Sequence, residues 1–220
     1  MPSTASPVLP ESRLRLLSSS SCSSAVRLSA AASSRFVSPI ACIGPVTAAT
    51  ARELGLAAVE LGGTRCRIAT GTASAVVERF EIPTGDPQPT LAALAERLHE
   101  FGPFRAMGIA SFGPLRLDSG AADFGQLLAE SKPGWNGVDV VSPFQPLADK
   151  FVLETDVGAA ALGEQLQLGG RGTLAYVTVG TGIGGGLAVD GRVHHGQMHP
   201  EMGHLRVPHD GSFSGVCATH

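Results

Sequence analysis

Two stretches of this chain share one plan: Glu60 to Arg67 (ELGGTRCR) and Thr178 to Gly186 (TVGTGIGGG). In each, an apolar strand enters a glycine–threonine turn and a second strand leads away. Glycine is used where backbone must turn sharply or approach a ligand closely. No helix follows either turn directly. The first also lacks Gly-x-x-x-x-Gly-Lys, so it is not a Walker A loop, and the second is not a Rossmann fingerprint. Either turn alone reads equally well as a plain hairpin. Together they point to phosphate: the N–H groups of Gly62 and Gly63, the Thr64 hydroxyl, and the Thr181–Gly182 turn could hold an anion from two sides. The second pair of strands restarts the pattern of the first, which implies two related domains.

Between these turns the periodicity changes. LAAVELGG reads as a buried strand, RCRIATG as its antiparallel partner, and AVVERFEIP as a third strand. Such a meander suits the edge of a mixed sheet. PTLAALAERLHEF switches to helical spacing, with Leu91, Leu94, Leu98 and Phe101 on one face. AMGIASFGP is a short buried strand, PFQPLADKF a helix, and FVLETD a strand. VGAAALGEQLQLG is a small-residue helix closed by Gly169 and Gly170. TLAYVTVG and GGLAVDGRV complete the set, the latter with an Asp190-Gly191 turn. The alternation of strands and helices is an α/β pattern.

Composition narrows the class. Aromatics are 5% of the 220 residues and glycines number 28, so the core must be aliphatic and closely packed. The net charge of −3 argues against a nucleic-acid or anionic-membrane binder. No apolar run is long enough to span a bilayer. Four scattered cysteines do not form a disulfide framework and suit a reducing compartment. Residues 1–55 differ from the rest: they are rich in Ser, Ala and Pro and poor in acids, as in a disordered tail or an organelle transit peptide.

Asp156, in ETDVGAAALGE, falls at the end of a strand and the start of a helix. Ligands of open α/β sheets bind beyond such strand ends. A carboxylate there could take the proton of a hydroxyl attacking phosphorus, or simply cap the helix. Six of the seven histidines lie between His194 and His220. Cys217-x-x-His220 is a chelating pair, and His204 could join it. That makes three ligands of a kind suited to zinc, against the plainer reading of solvated loop side chains.

The segments VELGGTRCRIATG, GIASFGPL, ESKPGW, ETDVGAAALGE, YVTVGTGIGGG and HPEMGHLRVPHDGSFSGVC resemble, in this order, the motifs of ROK-family sugar kinases. Glu60, where the family more often has Asp, and the HPEMGH form resemble the zinc-containing fructokinase branch. The resemblance covers residues 56–220. It implies the hexokinase-like actin/Hsp70 ATPase (ribonuclease H-like) fold: a first domain over 56–170, and the start of a second over 171–220. It implies ATP, Mg2+ and Zn2+ as cofactors and phosphorylation of a hexose, D-fructose first. Glucose, mannose and N-acetylmannosamine are the alternative substrates, and an inactive kinase fragment is the alternative protein.

By the same resemblance Asp156 is the base, and Gly62, Gly63, Thr64, Thr181 and Gly182 bind phosphate. Gly113, Lys132, Trp135, Glu201 and His204 line the sugar side. His204, Cys217 and His220 are zinc ligands, with a fourth, a Cys, expected beyond His220. A cytoplasmic homodimer free of nucleic acid is expected. ROK-type repressors carry a helix-turn-helix ahead of the sugar domain, and residues 1–55 have no such pattern. Arg65 stands for a usual Lys. Gly158 stands for a usual Asn, which is expected to loosen the start of the helix or a sugar contact.

Overall fold

A computed structural model of the chain describes residues 55–71, 76–129, 132–179, 182–196, 201–205 and 212. Five strands form one mixed sheet. They are β1 (Leu56–Leu61), β2 (Arg65–Gly71), β3 (Val76–Pro83), β4 (Ala106–Ser111) and β5 (Phe151–Thr155), in the order β3-β2-β1-β4-β5. β1, β2 and β3 are an antiparallel meander, while β1, β4 and β5 run parallel. All six residues of β1 and of β4 are buried. That is the expected state of central strands covered on both faces, and it explains their largely apolar runs. β3 closes the meander edge with Glu78, Arg79 and Glu81 exposed. Charges of this kind keep an edge from pairing with another chain.

Helix α1 (Pro87–His99) packs against this sheet. It begins with proline in its first turn, where a missing N–H costs nothing, and carries Arg97 and His99 in its last turn, complementing the helix dipole. Leu91, Leu94 and Leu98 are buried together with Met107, Ile109, Phe144 and Trp135. Phe101 does not share that face. The helix ends at His99, and the Phe101 ring, 38% exposed, lies under the Arg97 guanidinium 4.9 Å away. The helix expected in PFQPLADKF is a short 3-10 turn, Ser142–Leu147, with Pro146 inside it. A proline there removes an N–H that an α-helix would need.

The second helix, α2 (Asp156–Gln167), follows β5 with no intervening loop. Gly169 and Gly170 end it with φ of +100° and +71°, the left-handed geometry that favours glycine. It packs on β4 and β5 on one side and on a second sheet on the other. That sheet is antiparallel: β6 (Thr173–Val179), β7 (Ile183–Val189) and β8 (Arg192–Val193). Asp190 and Gly191 join β7 to β8 with φ of +46° and +80°, as a two-residue hairpin requires. A final 3-10 turn, Met202–His204, lies against β7. The expectations for residues 1–54 lie outside the described residues.

Candidate active site

The ends of β1, β4 and β5, the start of α2, and the turn at Met202–His204 supply the candidate side chains. At the first turn, Gly62 N–H donates to Arg65 O at 3.1 Å. A Cβ on Gly62 would lie 2.5 Å from that oxygen, so the turn requires glycine there. Gly63 has nothing within 4 Å of such a position and opens outward. Every carbonyl of the turn is held. Thr84 donates its hydroxyl to Gly62 O at 2.7 Å and its N–H to Thr64 O at 2.9 Å. Lys132 Nζ donates to Gly63 O at 2.6 Å and sits 5.9 Å from the Phe112 ring. Lys132, expected on the sugar side, is therefore bound to the glycine turn.

Trp135 is fully buried. Its indole N–H donates to Gly85 O at 3.0 Å, and its ring meets Phe112 edge-on at 5.4 Å. It supports the wall behind Phe112 and turns no polar atom outward. Gly113 follows Phe112 at the carboxyl end of β4, half-buried.

Glu60 is the charged residue in the otherwise apolar β1 and is 8% exposed. It lies opposite Arg67, which in turn lies opposite Glu81, so the three form a ladder across the meander. Arg67 Nη1 reaches Glu60 at 3.2 Å, and Arg67 Nε reaches Glu81. Burial raises the Glu60 pKa, and the Arg67 charge opposes that rise. The bond from Arg67 holds Glu81 below the ordinary carboxylate range.

Asp156 is the first residue of α2, and the helix is capped by its neighbour instead. Thr155 Oγ1 accepts from Gly158 N–H at 3.0 Å, a side-chain N-cap. Asp156 is thereby released from capping; its Oδ1 accepts the adjacent Val157 N–H at 2.8 Å. Burial pushes its pKa up to about 7, and the charges of Glu60 and Glu201 add to the rise. A carboxylate with a pKa near neutrality can both hold and release a proton at physiological pH, the property a general base needs. Tyr176, the one tyrosine of the chain, faces the same negative potential. Burial, then Asp156, Glu164 and Glu60, push its hydroxyl up to about 12.

Gly158 has a packing reason. A Cβ there would lie 2.5 Å from Glu154 Oε1 and 2.8 Å from Thr155 Oγ1, so glycine leaves room for the capping hydroxyl and for Glu154.

The glycines after Thr181 divide into two roles. Gly182 is exposed in the turn with nothing within 4 Å. Gly184, Gly185 and Gly186 belong to β7, and alternate sides of the strand use them. A Cβ on Gly186 would lie 2.1 Å from Val157 O, and one on Gly184 would lie 3.1 Å from Val157 Cγ1. One on Gly185 would lie 2.6 Å from Met202 Sδ. Gly203, in turn, would place a Cβ 2.0 Å from Ile183 O. Glycine thus lets β7 lie close between the first turn of α2 and the Met202–His204 turn. That brings Glu201 near enough to Asp156 for its charge to act there. Glu201 Oε2 pairs with His204 Nδ1 at 3.1 Å. Thr181, Cys217 and His220 lie outside the described residues. Among the described residues no three His, Cys, Asp or Glu side chains converge as a metal site.

Sequence reasoning passed over Arg67, Thr84, Thr155, Tyr176 and the Glu154–His195 pair. One signal was available: a glutamate within an apolar strand, five residues before the first arginine of the return strand. The others depend on contacts between segments far apart in the chain.

Residues 56–220 match the model of the ROK family. A fructokinase of Zymomonas mobilis is 40% identical over 176 residues, spanning 74% of this chain and 58% of that protein. A putative fructokinase of Bacillus subtilis is 35% identical over 171 residues, 75% of this chain and 57% of that one. The chain therefore spans less than two thirds of the length of these relatives. The crystal structure of a ROK hexokinase from Thermus thermophilus superposes with a TM-score of 0.56 at 26% identity, covering 72% of this chain and 56% of that one. The fold is that of the actin-like ATPases. On this match through both sheets and the turn that carries Asp156, the chain belongs to the ROK family.

Proposed function

We propose that the protein transfers the γ-phosphoryl group of ATP to a hexose, D-fructose giving fructose 6-phosphate. The observation that carries this reading is Asp156. It is a carboxylate freed from capping, poised near neutral pH, and close enough to Glu60 and Glu201 to feel their charges. Its Oδ atoms would accept the proton of the sugar hydroxyl as that oxygen attacks the γ-phosphorus in line. The bond from phosphorus to the bridging oxygen of ADP then breaks, and ADP leaves with the electron pair. The N–H groups of Gly63 and Thr64, with Thr181 and Gly182, would stabilise charge on the transferring group. Magnesium supplies positive charge to the nucleotide phosphates when bound. Glu201 and His204 would hold sugar hydroxyls. The fructokinase relatives support fructose over other hexoses.

Zinc belongs to the same reading. Cys and His are donors suited to it, and His204, Cys217 and His220 would hold it, fixing the ring of His204. A cytoplasmic homodimer goes with this assignment.

Asp156→Asn in the full-length protein tests the reading. Sugar-dependent ADP release should fall to background, while fructose binding by calorimetry stays within a few-fold of wild type. Full turnover by this variant would remove Asp156 as the base. A panel of hexoses on the wild type decides the substrate.

A further inference from the structure

Glu154 and His195 take no part in the phosphoryl transfer itself, yet they meet close to the base in the chain. Glu154 is 5% exposed at the carboxyl end of β5. Its Oε2 lies 2.6 Å from His195 Nε2. A carboxylate only accepts, so the histidine donates. Its Oε1 accepts the Thr155 N–H at 2.8 Å and the Thr155 hydroxyl at 3.2 Å. That hydroxyl oxygen is the cap of α2, accepting from Gly158 N–H. His195 follows β8, so the contact joins the second sheet to the strand that leads into Asp156. Both oxygens of a buried carboxylate are thus used, one across the sheets and one on the cap.

We infer that His195 is a positioning residue for the phosphoryl transfer: through Glu154 it fixes Thr155, and through Thr155 the first turn of α2 that carries Asp156. The inference rests on the kinase reading for its catalytic consequence, but the mechanical link does not. Gly158 is part of the device. The atom nearest a Cβ at 158 is the end of the Glu154 side chain, which can swing aside. A Cβ there also meets the Thr155 hydroxyl at 2.8 Å, so Gly158→Ala would disturb the Glu154 carboxylate and the cap from the helix side with the His195 ring still present, and alanine is itself better in a helix than glycine.

The experiment compares wild type, His195→Ala, His195→Gln and Gly158→Ala in the full-length protein, with the exposed neighbour His194→Ala as control. Hydrogen–deuterium exchange is read over residues 154–160, together with kcat and KM for fructose and ATP. In His195→Ala and Gly158→Ala, exchange over 154–160 should quicken relative to the rest of α2. In both, kcat should fall roughly ten- to a hundred-fold, the scale of small misplacements of a reacting group, with both KM values within about two-fold. His195→Gln, which keeps a donor, should recover most of the loss, and His194→Ala should resemble wild type. Unchanged exchange over 154–160 in His195→Ala overturns the link. Quickened exchange with unchanged kcat overturns the positioning role. A wild type with no sugar-dependent ADP release defeats the kinase reading instead, and the exchange measurement still decides the link.

Discussion

Replacing Asp156 by Asn should stabilise the protein, and the size of the effect should depend on pH. The Asp156 pKa rises from an ordinary 3.8 to about 7 in the folded protein. The unfolded chain therefore releases this proton near pH 4, while the folded protein keeps it until about pH 7. Stability from the neutral form is complete below about pH 4 and is lost as pH rises through 7. The full shift of about three pK units corresponds to an upper bound of ~4 kcal/mol, at about 1.4 kcal/mol per unit. Asp156 is half-buried rather than fully enclosed, and some relaxation and solvent access reduce this to roughly 2 kcal/mol. Asparagine has the same shape, can accept the Val157 N–H, and carries no charge to repel Glu60 and Glu201. For a chain of this size ~2 kcal/mol is a gain of about 4–8 °C in Tm. Thermal melts of both proteins from pH 5 to 8 would read it. The gap should be widest at pH 8 and close toward pH 5. A gap that does not change over this range, or a variant less stable than wild type at pH 8, would refute the argument that Asp156 is held in an unfavourable charged state. A base set in such a site reduces stability where it is active, a known exchange between stability and activity.

Two further outcomes follow from the packing. Arg67→Met leaves Glu60 buried without its ion pair, which should cost up to about 3–5 kcal/mol. Because Arg67 opposes the rise in the Glu60 pKa, the loss should be greatest at pH 8 and smaller near pH 5, as seen in urea melts at the two pH values. Gly203→Ala sets a Cβ 2.0 Å from Ile183 O, a backbone atom that cannot swing away. It should cost about 1–3 kcal/mol or more, while Gly63→Ala, with nothing within 4 Å, should leave the melting curve unchanged.

Much of this molecule was legible before any coordinates. The three-strand meander, the buried β1 and β4, the leucine face of α1 and the glycine stop after α2 all follow from local periodicity and turn chemistry. Those are properties of neighbours in sequence. The ordered motifs were enough to identify the family, because each motif is itself a local stretch.

What only the tertiary structure decided is which of those residues act together. Phe101 keeps helical spacing with Leu98, but the helix stops at His99, and spacing says nothing of where hydrogen bonding ends. By sequence Asp156 reads as a base or as the helix cap; the geometry gives the cap to Thr155 and leaves the carboxylate of Asp156 for chemistry. Lys132 lies far along the chain from Gly63 yet bonds its carbonyl, and His195 reaches Glu154 across two sheets. The run Gly184–Gly186 looks like a longer phosphate loop, yet its missing side chains make room for Val157 and Met202. A pattern in one dimension records which residues can turn, pair or bury themselves. At Asp156 burial acts first and the charges of Glu60 and Glu201 add to it; those two residues are distant in sequence, and only the folded chain puts them close enough to shift a proton.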